Sequence, residues 1–315
     1  MSDSASIAFR RQTLTSPPCK EVSGIVRFSY TNSGNGTLGI AFTESKKFVG
    51  YTSDSSNGLF TGSDLWLNVT LTGQPGEYVM PDEALRGGFR YNITVELDFQ
   101  PTWSNLRAYQ GYFHCSDELL NRIWYAGAYT LQSNSVPTNT GRQVPMLVWD
   151  WANNATLGSG YSIIVDGAKR DRAVWPGDMG IAVPSAFVST GNLESVRNAL
   201  QVMYDYQNTT TGAFDESGPP LSQKNSDTYH MWTMIGSYNY VLYTNDTAWL
   251  TPIWNKYKHA MDYVVGKIDE SGLMDVTGTR DWARWQQGFH NTEANMICSK
   301  RSRQVASLPP GSATL

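Results

Sequence analysis

At 315 residues the chain is long enough for one large domain or two ordinary ones, and it can bury a sizeable core. A formal net charge of −4 and a pI near 5.6 supply no basic field for a phosphate backbone, which argues against a nucleic-acid partner. No apolar run approaches the ~18–20 residues that cross a bilayer, so no membrane partner is expected, and the opening MSDSASIAFRRQTL lacks the apolar centre of a signal peptide.

Residues 1–19 carry no periodic pattern and are expected to be poorly ordered. From 20 to 108 the apolar residues recur with period two, as in strands buried on one face. Phe89, Tyr91, Ile93, Val95, Leu97 and Phe99 alternate with Arg90, Asn92, Thr94, Glu96, Asp98 and Gln100. Leu65, Leu67, Val69 and Leu71 alternate with Trp66, Asn68 and Thr70, and Val26, Phe28 and Tyr30 with Arg27 and Ser29. Turn clusters at Asn32 to Gly36 and Asp54 to Gly58 separate the runs, so this region reads as a small antiparallel β-sandwich.

After Pro101 the period becomes helical. Residues 116–133 open on Ser116, Asp117 and Glu118 and carry Leu120, Ile123, Trp124, Gly127 and Leu131 on one face. Asn192 suits the cap of a helix bearing Leu193, Val196, Leu200, Met203 and Tyr204. Further helices are expected over about Asp227–Leu242 and Thr247–Ile268, the latter with Pro252 in its first turn. Long amphipathic helices joined by substantial loops describe an array of α/α hairpins over 109–297, with the unusual residues in the loops. The last stretch, 298–315, loses its aromatic residues and shows no helical face; it reads as a disordered or unrelated tail, with Glu293 to Ile297 as the start of a helix cut short.

Six N-x-S/T sequons, at Asn35, Asn68, Asn92, Asn154, Asn208 and Asn245, become glycan acceptors only in a secretory compartment, and Asn68 and Asn92 fall on the polar faces of expected strands. Charged residues make up 17% of the chain, under the ~25% of ordinary soluble domains, which suits an extracellular protein. The N-terminus and the sequons thus point to opposite locations. Cys19, Cys115 and Cys298 match no metal spacing and cannot all pair within one chain. No G-x-S-x-G elbow occurs, and His114, His230, His259 and His290 show no paired metal spacing. His230 reads as a packed or pocket residue.

Residues 166–178, DGAKRDRAVWPGD, interleave Asp166, Asp171 and Asp178 with Lys169, Arg170, Arg172 and Trp175. The segment is too polar for a core and too mixed in sign for a solvated tail. A glycosidase needs a protonated carboxylic acid beside the glycosidic oxygen and a second carboxylate to attack or to activate water. Neighbouring carboxylates raise one another's pKa, which keeps one protonated near neutrality. A tryptophan can stack on the apolar face of a sugar, and an arginine can bind hydroxyls. A structural salt-bridge cluster capping a helix is the alternative reading, and spacing alone favours it.

This segment resembles the signature of the glycoside hydrolase family 78 α-L-rhamnosidases, particularly their fungal branch, in the order and spacing of its aspartates, its Arg-acid pair and its closing Trp-x-Gly-Asp. YQGYFHCSDELLNRIWYAGAYTLQ at 109–132, SDTYHMW at 226–232 and GTRDWARWQQG at 278–288 extend the resemblance over roughly residues 100–297. It implies a β-domain followed by an (α/α)6 six-hairpin barrel, and inverting release of terminal α-L-rhamnose from a rhamnose-containing glycoside or polysaccharide, without metal or organic cofactor. By position, Asp171 corresponds to the general acid, where many relatives carry the longer glutamate. Asp166, Arg170 and Asp178 correspond to residues that hold rhamnose hydroxyls, Trp175 to an aromatic wall, and Asp281 and Trp282 to a second sugar-contacting pair.

The family's barrel has twelve helices, and residues 110–297 supply about half of them at ordinary helix and loop lengths. The chain therefore reads as a truncated half barrel, and the family's catalytic glutamate base is expected outside it. Inverting hydrolysis needs carboxyls about 6.5–9.5 Å apart. Glu216, in AFDESGPP, is the best remaining acidic loop residue and is not assigned as base. A non-catalytic carbohydrate-binding protein and a six-hairpin enzyme acting on another hexose or on uronides remain as alternatives; the sequence specifies neither the aglycone nor the oligomeric state.

Overall fold

A computed structural model describes residues 22–30, 35–45, 47, 53, 67–89, 96–98, 108–143, 153–168, 171–282 and 284–306. The expectations for 1–19, for the turn at 54–58 and for most of the strand at 89–100 lie outside these residues. The chain divides into two compact units: residues 1–104 with 139–156 and 167–172, and residues 105–138 with 157–166 and 173–315.

In the first unit, β1 (Val22–Tyr30), β2 (Asn35–Ile40), β3 (Leu67–Thr72), β4 (Gly76–Val79), β5 (Arg86–Phe89) and β6 (Glu96–Asp98) form antiparallel sheets. The long β1 pairs with β4 over Arg27–Tyr30, with β5 at its start and with β6 over Ile25–Arg27, while β2 and β3 pair over their whole lengths. The alternation read from the sequence holds here, with Val26, Phe28, Tyr30, Val69 and Leu71 buried while Asn68 and Thr70 are exposed. The buried set joins Ile40, Phe42, Met80 and Ala84, so β1 and the β2–β3 pair share one core. Of the described residues, 139–143 and 153–156 belong to this unit, where Asn153 donates its backbone N–H to the Glu83 carbonyl (2.7 Å) and its side-chain amide to the Leu85 carbonyl (2.6 Å).

The second unit contains α1 (Glu118–Ser133), β7 (Ser135–Pro137), β8 (Ser162–Ile164), α2 (Pro176–Val188), α3 (Leu193–Asp205), α4 (Asp227–Thr244), α5 (Thr247–Val265), β9 (Arg280–Asp281), β10 (Arg284–Trp285) and α6 (Thr292–Ala306). Side-chain oxygens of Asp117, Asn192, Ser226 and Asp246 accept first-turn N–H groups of α1, α3, α4 and α5, so the chain marks these starts chemically. Val196, Leu200 and Met203 on α3 are fully buried with Val183 on α2, Met234 on α4 and Ala260 on α5. α4 packs against α2, α3, α5 and α6. No helix among the described residues is long and apolar enough to cross a membrane.

Four features depart from the sequence reading. α2 arises where Pro176, Gly177, Gly180 and Pro184 weaken helix propensity, but Pro176 occupies the first helical position, where its missing N–H costs nothing. The glycines serve packing: a Cβ on Gly180 would lie 2.1 Å from the Trp232 ring and one on Gly177 would lie 2.6 Å from the Tyr229 ring. α1 turns the start of its apolar stripe outward, leaving Leu120 49% and Ile123 57% exposed, while Leu131 near its end packs against the helical core. It buries Asn121 and Gln132 instead, because these satisfy the preceding segment: Asn121 bonds both the N–H and the carbonyl of Cys115, and Gln132 accepts from the Tyr109 hydroxyl. Pro252 lies in the second turn of α5, inside the helix. Finally, α6 continues past Ile297 to Ala306 with Cys298 buried, so the non-helical reading of the tail fails up to 306, and 307–315 lie outside the described residues.

Candidate active site

The second unit assembles its acidic groups around the first turn of α4. Ser226 caps this turn through its hydroxyl oxygen, which accepts from the Tyr229 N–H (3.2 Å). Asp227 is buried and ties the turn to a distant loop, accepting the N–H groups of Thr277 and Gly278 (both 2.9 Å), the Tyr263 hydroxyl (3.1 Å) and the Lys267 ammonium. That loop runs into β9, and so fixes Arg280 and Asp281 against α4. Asp281 is 7% exposed; its Oδ1 accepts from the Thr228 hydroxyl (2.8 Å) and the Trp282 N–H (2.7 Å), and its Oδ2 from Arg284 (2.9 Å).

Glu216 reaches the same place from another loop, 3% exposed, with Oε2 accepting from Arg280 Nε at 2.6 Å. Burial pushes its carboxyl above the ordinary value; the hydrogen bond and charge of Arg280 oppose this, and the neighbouring Asp281 adds to it. Asp166 holds the start of its loop, with Oδ1 accepting from the Ala173 N–H (3.2 Å) and its own N–H bonded to the Ala173 carbonyl (3.0 Å). Asp178 stands exposed in the first turn of α2, where the helix dipole favours a negative charge.

Tyr229 lies amid these groups. Burial, and then the negative charges of Asp178, Glu216, Asp281 and Asp166, push its phenol well above the ordinary value. Four carboxylates from three stretches of chain are therefore near enough to act electrostatically on one phenol. Trp175 meets the same ring edge-on, with centroids 5.7 Å apart, and its indole N–H is buried without an acceptor among the described residues.

Of the residues singled out from the sequence, the fold brings together Asp166, Trp175, Asp178 and Asp281 about Tyr229. Trp282 is anchored through its backbone, and its ring is 68% exposed. Asp171 belongs to the first unit and is half-buried. Its neighbour Arg172 adopts a left-handed conformation (φ 51°), fully buried and bonded to the Thr140 carbonyl (2.5 Å), the Ala168 carbonyl (2.6 Å) and the Thr140 hydroxyl (2.9 Å), which fixes the loop. Arg170 and Lys169 lie outside the described residues. Tyr229, Glu216, Arg280 and Arg284 were not assigned from sequence, although Tyr229 and both arginines stand within SDTYHMW and GTRDWARWQQG. His230 is packed: Nδ1 accepts the Phe214 N–H (2.9 Å), which leaves Nε2 as the donor to the Ala260 carbonyl (3.0 Å).

A concentration of carboxylates beside aromatic rings can accept hydrogen bonds from sugar hydroxyls and stabilise the positive charge that develops at an anomeric carbon. Among the described residues no group of three His, Cys, Asp or Glu side chains is placed to hold a metal ion.

Comparison with known proteins gives a consistent result. The family model of the bacterial alpha-L-rhamnosidase six-hairpin glycosidase domain matches residues 139–301, just over half of the chain. Among solved structures, the GH78 family rhamnosidase of Bacillus sp. GL1 superposes with a TM-score of 0.67 at 19% identity, covering 93% of this chain and 28% of that one. A rhamnosidase from Klebsiella oxytoca with rhamnose bound gives 0.64 at 17% identity, covering 92% of this chain and 57% of that one. The alpha-L-rhamnosidase from Dictyoglumus thermophilum gives 0.59 at 16%, covering 89% and 30%. The chain thus spans from under a third to just over half of these proteins, and at such identities the likeness is one of fold. No curated protein sequence matches the chain.

Proposed function

The chain belongs to the bacterial alpha-L-rhamnosidase six-hairpin glycosidase domain family, and we propose that it supplies part of the catalytic barrel of a glycoside hydrolase acting on terminal α-L-rhamnosyl residues, with inversion at the anomeric carbon and with the catalytic base outside these residues. The observation that carries this reading is Trp175 edge-on against Tyr229 at the turn where Thr228 holds Asp281, with Asp166, Asp178 and Glu216 near enough to act electrostatically on the same phenol. In this reading α1 to α6 are three of the six hairpins, with α2, α4 and α6 as the inner row.

Asp166, Arg170 and Asp178 hold sugar hydroxyls, Trp175 walls the ring, and Asp281 with Trp282 contacts the sugar from the β9–β10 hairpin. Asp171 protonates the leaving oxygen as the bond to the anomeric carbon breaks, while water attacks the opposite face and gives its proton to the carboxylate base expected outside this chain. Glu216, whose Oε2 is committed to Arg280, braces the hairpin and is not assigned as the base. The substrate is a rhamnose-containing glycoside or polysaccharide. Exposure of the sequon asparagines Asn68, Asn154, Asn208 and Asn245 fits passage through a secretory compartment.

The decisive variant is Asp171→Asn, which keeps the shape and removes the proton. In a full-length version with the melting curve unchanged, it abolishes release of p-nitrophenol from p-nitrophenyl α-L-rhamnoside; undiminished release would remove Asp171 from the reaction.

A further inference from the structure

The β9–β10 hairpin leaves two large rings in water beside the carboxylates, Trp282 at 68% and Trp285 at 58% exposure. Fixed, exposed indoles are the side chains that recognition surfaces use, since a rigid ring covers much area and loses little entropy. Trp285 is fixed. It pairs in register with Arg280 across the hairpin, and the Arg280 guanidinium lies over its ring, 4.5 Å from the centroid. The same guanidinium is bonded at 2.6 Å to the buried Glu216, one of the four carboxylates around Tyr229. A buried acid therefore holds a cation, and the cation holds one face of an indole whose remaining surface stays open.

Trp285 thus stands one guanidinium away from the group of carboxylates, on the hairpin that also delivers Asp281 to that group. We propose that Trp285 is a stacking platform for the leaving-group ring, the first ring beyond the bond to the terminal rhamnosyl unit. This rests on the rhamnosyl reading above and adds a subsite to it. The ligand chemistry is a ring with an apolar face, whose C–H edge or π-face meets the indole; a pyranosyl ring and a phenolic ring both offer it.

The test is calorimetric titration of the full chain with L-rhamnose, with p-nitrophenyl 1-thio-α-L-rhamnoside and with an S-linked rhamnosyl-glucose, the thio linkage preventing turnover. Trp285→Ala should weaken one or both thioglycosides by about five- to tenfold, the value of one aromatic stacking contact, while the affinity for rhamnose changes by less than about twofold. Trp285→Phe should restore most of the loss, and both variants should melt as the parent does. Loss confined to the aryl ligand assigns a phenolic ring, and loss confined to the disaccharide assigns a pyranose. Equal loss for all three ligands, or none, overturns the platform. Should the parent ignore rhamnose and its glycosides yet bind the aryl thioglycoside of another sugar through Trp285, the platform stands and the rhamnosyl reading fails. Binding of no glycoside at all overturns both.

Discussion

Replacing Asp227 should separate the first turn of α4 from the loop that delivers Arg280 and Asp281. The carboxylate is 2% exposed, with Oδ1 facing the Tyr263 hydroxyl and the Lys267 ammonium and Oδ2 facing the N–H groups of Thr277 and Gly278. Asp227→Ala strands two N–H donors and a largely buried ammonium, a loss of the kind that costs about 3–5 kcal/mol. Asp227→Asn is milder: its amide oxygen can still accept from Thr277 and Gly278, and only the pairing with Lys267 turns unfavourable, at about 1.5–3 kcal/mol. At roughly 2–4 °C per kcal/mol for a unit of this size, the alanine variant should melt about 6–20 °C lower, with the asparagine variant between it and the parent. Urea unfolding followed by tryptophan fluorescence measures both. An alanine cost under about 1 kcal/mol, or an asparagine variant as damaged as the alanine one, would refute the assignment of the anchor.

Two further outcomes follow from packing and from charge. Gly180→Ala places a methyl 2.1 Å from the Trp232 ring on the facing helix, so the variant should lose about 1–3 kcal/mol in urea unfolding, where the same change on an open helix surface would add stability. A neutral or stabilising result would show that α2 and α4 are not so close. Burial raises the Glu216 carboxyl above its ordinary value of 4.5, so its contribution to stability is complete below that pH and is lost as pH climbs through the folded value. Glutamine carries no such dependence. The stability of Glu216→Gln relative to the parent should therefore rise with pH from about 4.5 upward, and a flat or falling difference would contradict the raised carboxyl.

The helix starts were legible because they are written in local chemistry. Asn192 accepts the Ser195 N–H at the position expected, and α3 buries the face that its spacing defines. The β1 and β3 alternations were legible for the same reason. α2 was not, because its prolines and glycines read locally as a loop, whereas Gly177 and Gly180 answer to rings on α4 some fifty residues away. The partly outward stripe of α1 was equally hidden, since the hydrogen-bond needs of Tyr109 and Cys115 outweigh apolar periodicity there. In the site, Asp166, Trp175 and Asp178 stand in one motif and could be named together, while Tyr229, Glu216 and Arg280 meet them only through the fold. A buried salt bridge such as Arg280–Glu216 leaves no signature in spacing, because its partners lie on loops of independent length.

The central proposal is that a full-length version, supplying the catalytic base expected outside this chain, cleaves terminal α-L-rhamnosides with inversion. Proton NMR of p-nitrophenyl α-L-rhamnoside mixed with that full-length version tests it directly, because the anomeric signal of the newborn sugar appears before mutarotation erases it. The account predicts β-L-rhamnose as the first product; α-L-rhamnose appearing first, or a rhamnoside signal that never declines, would contradict it.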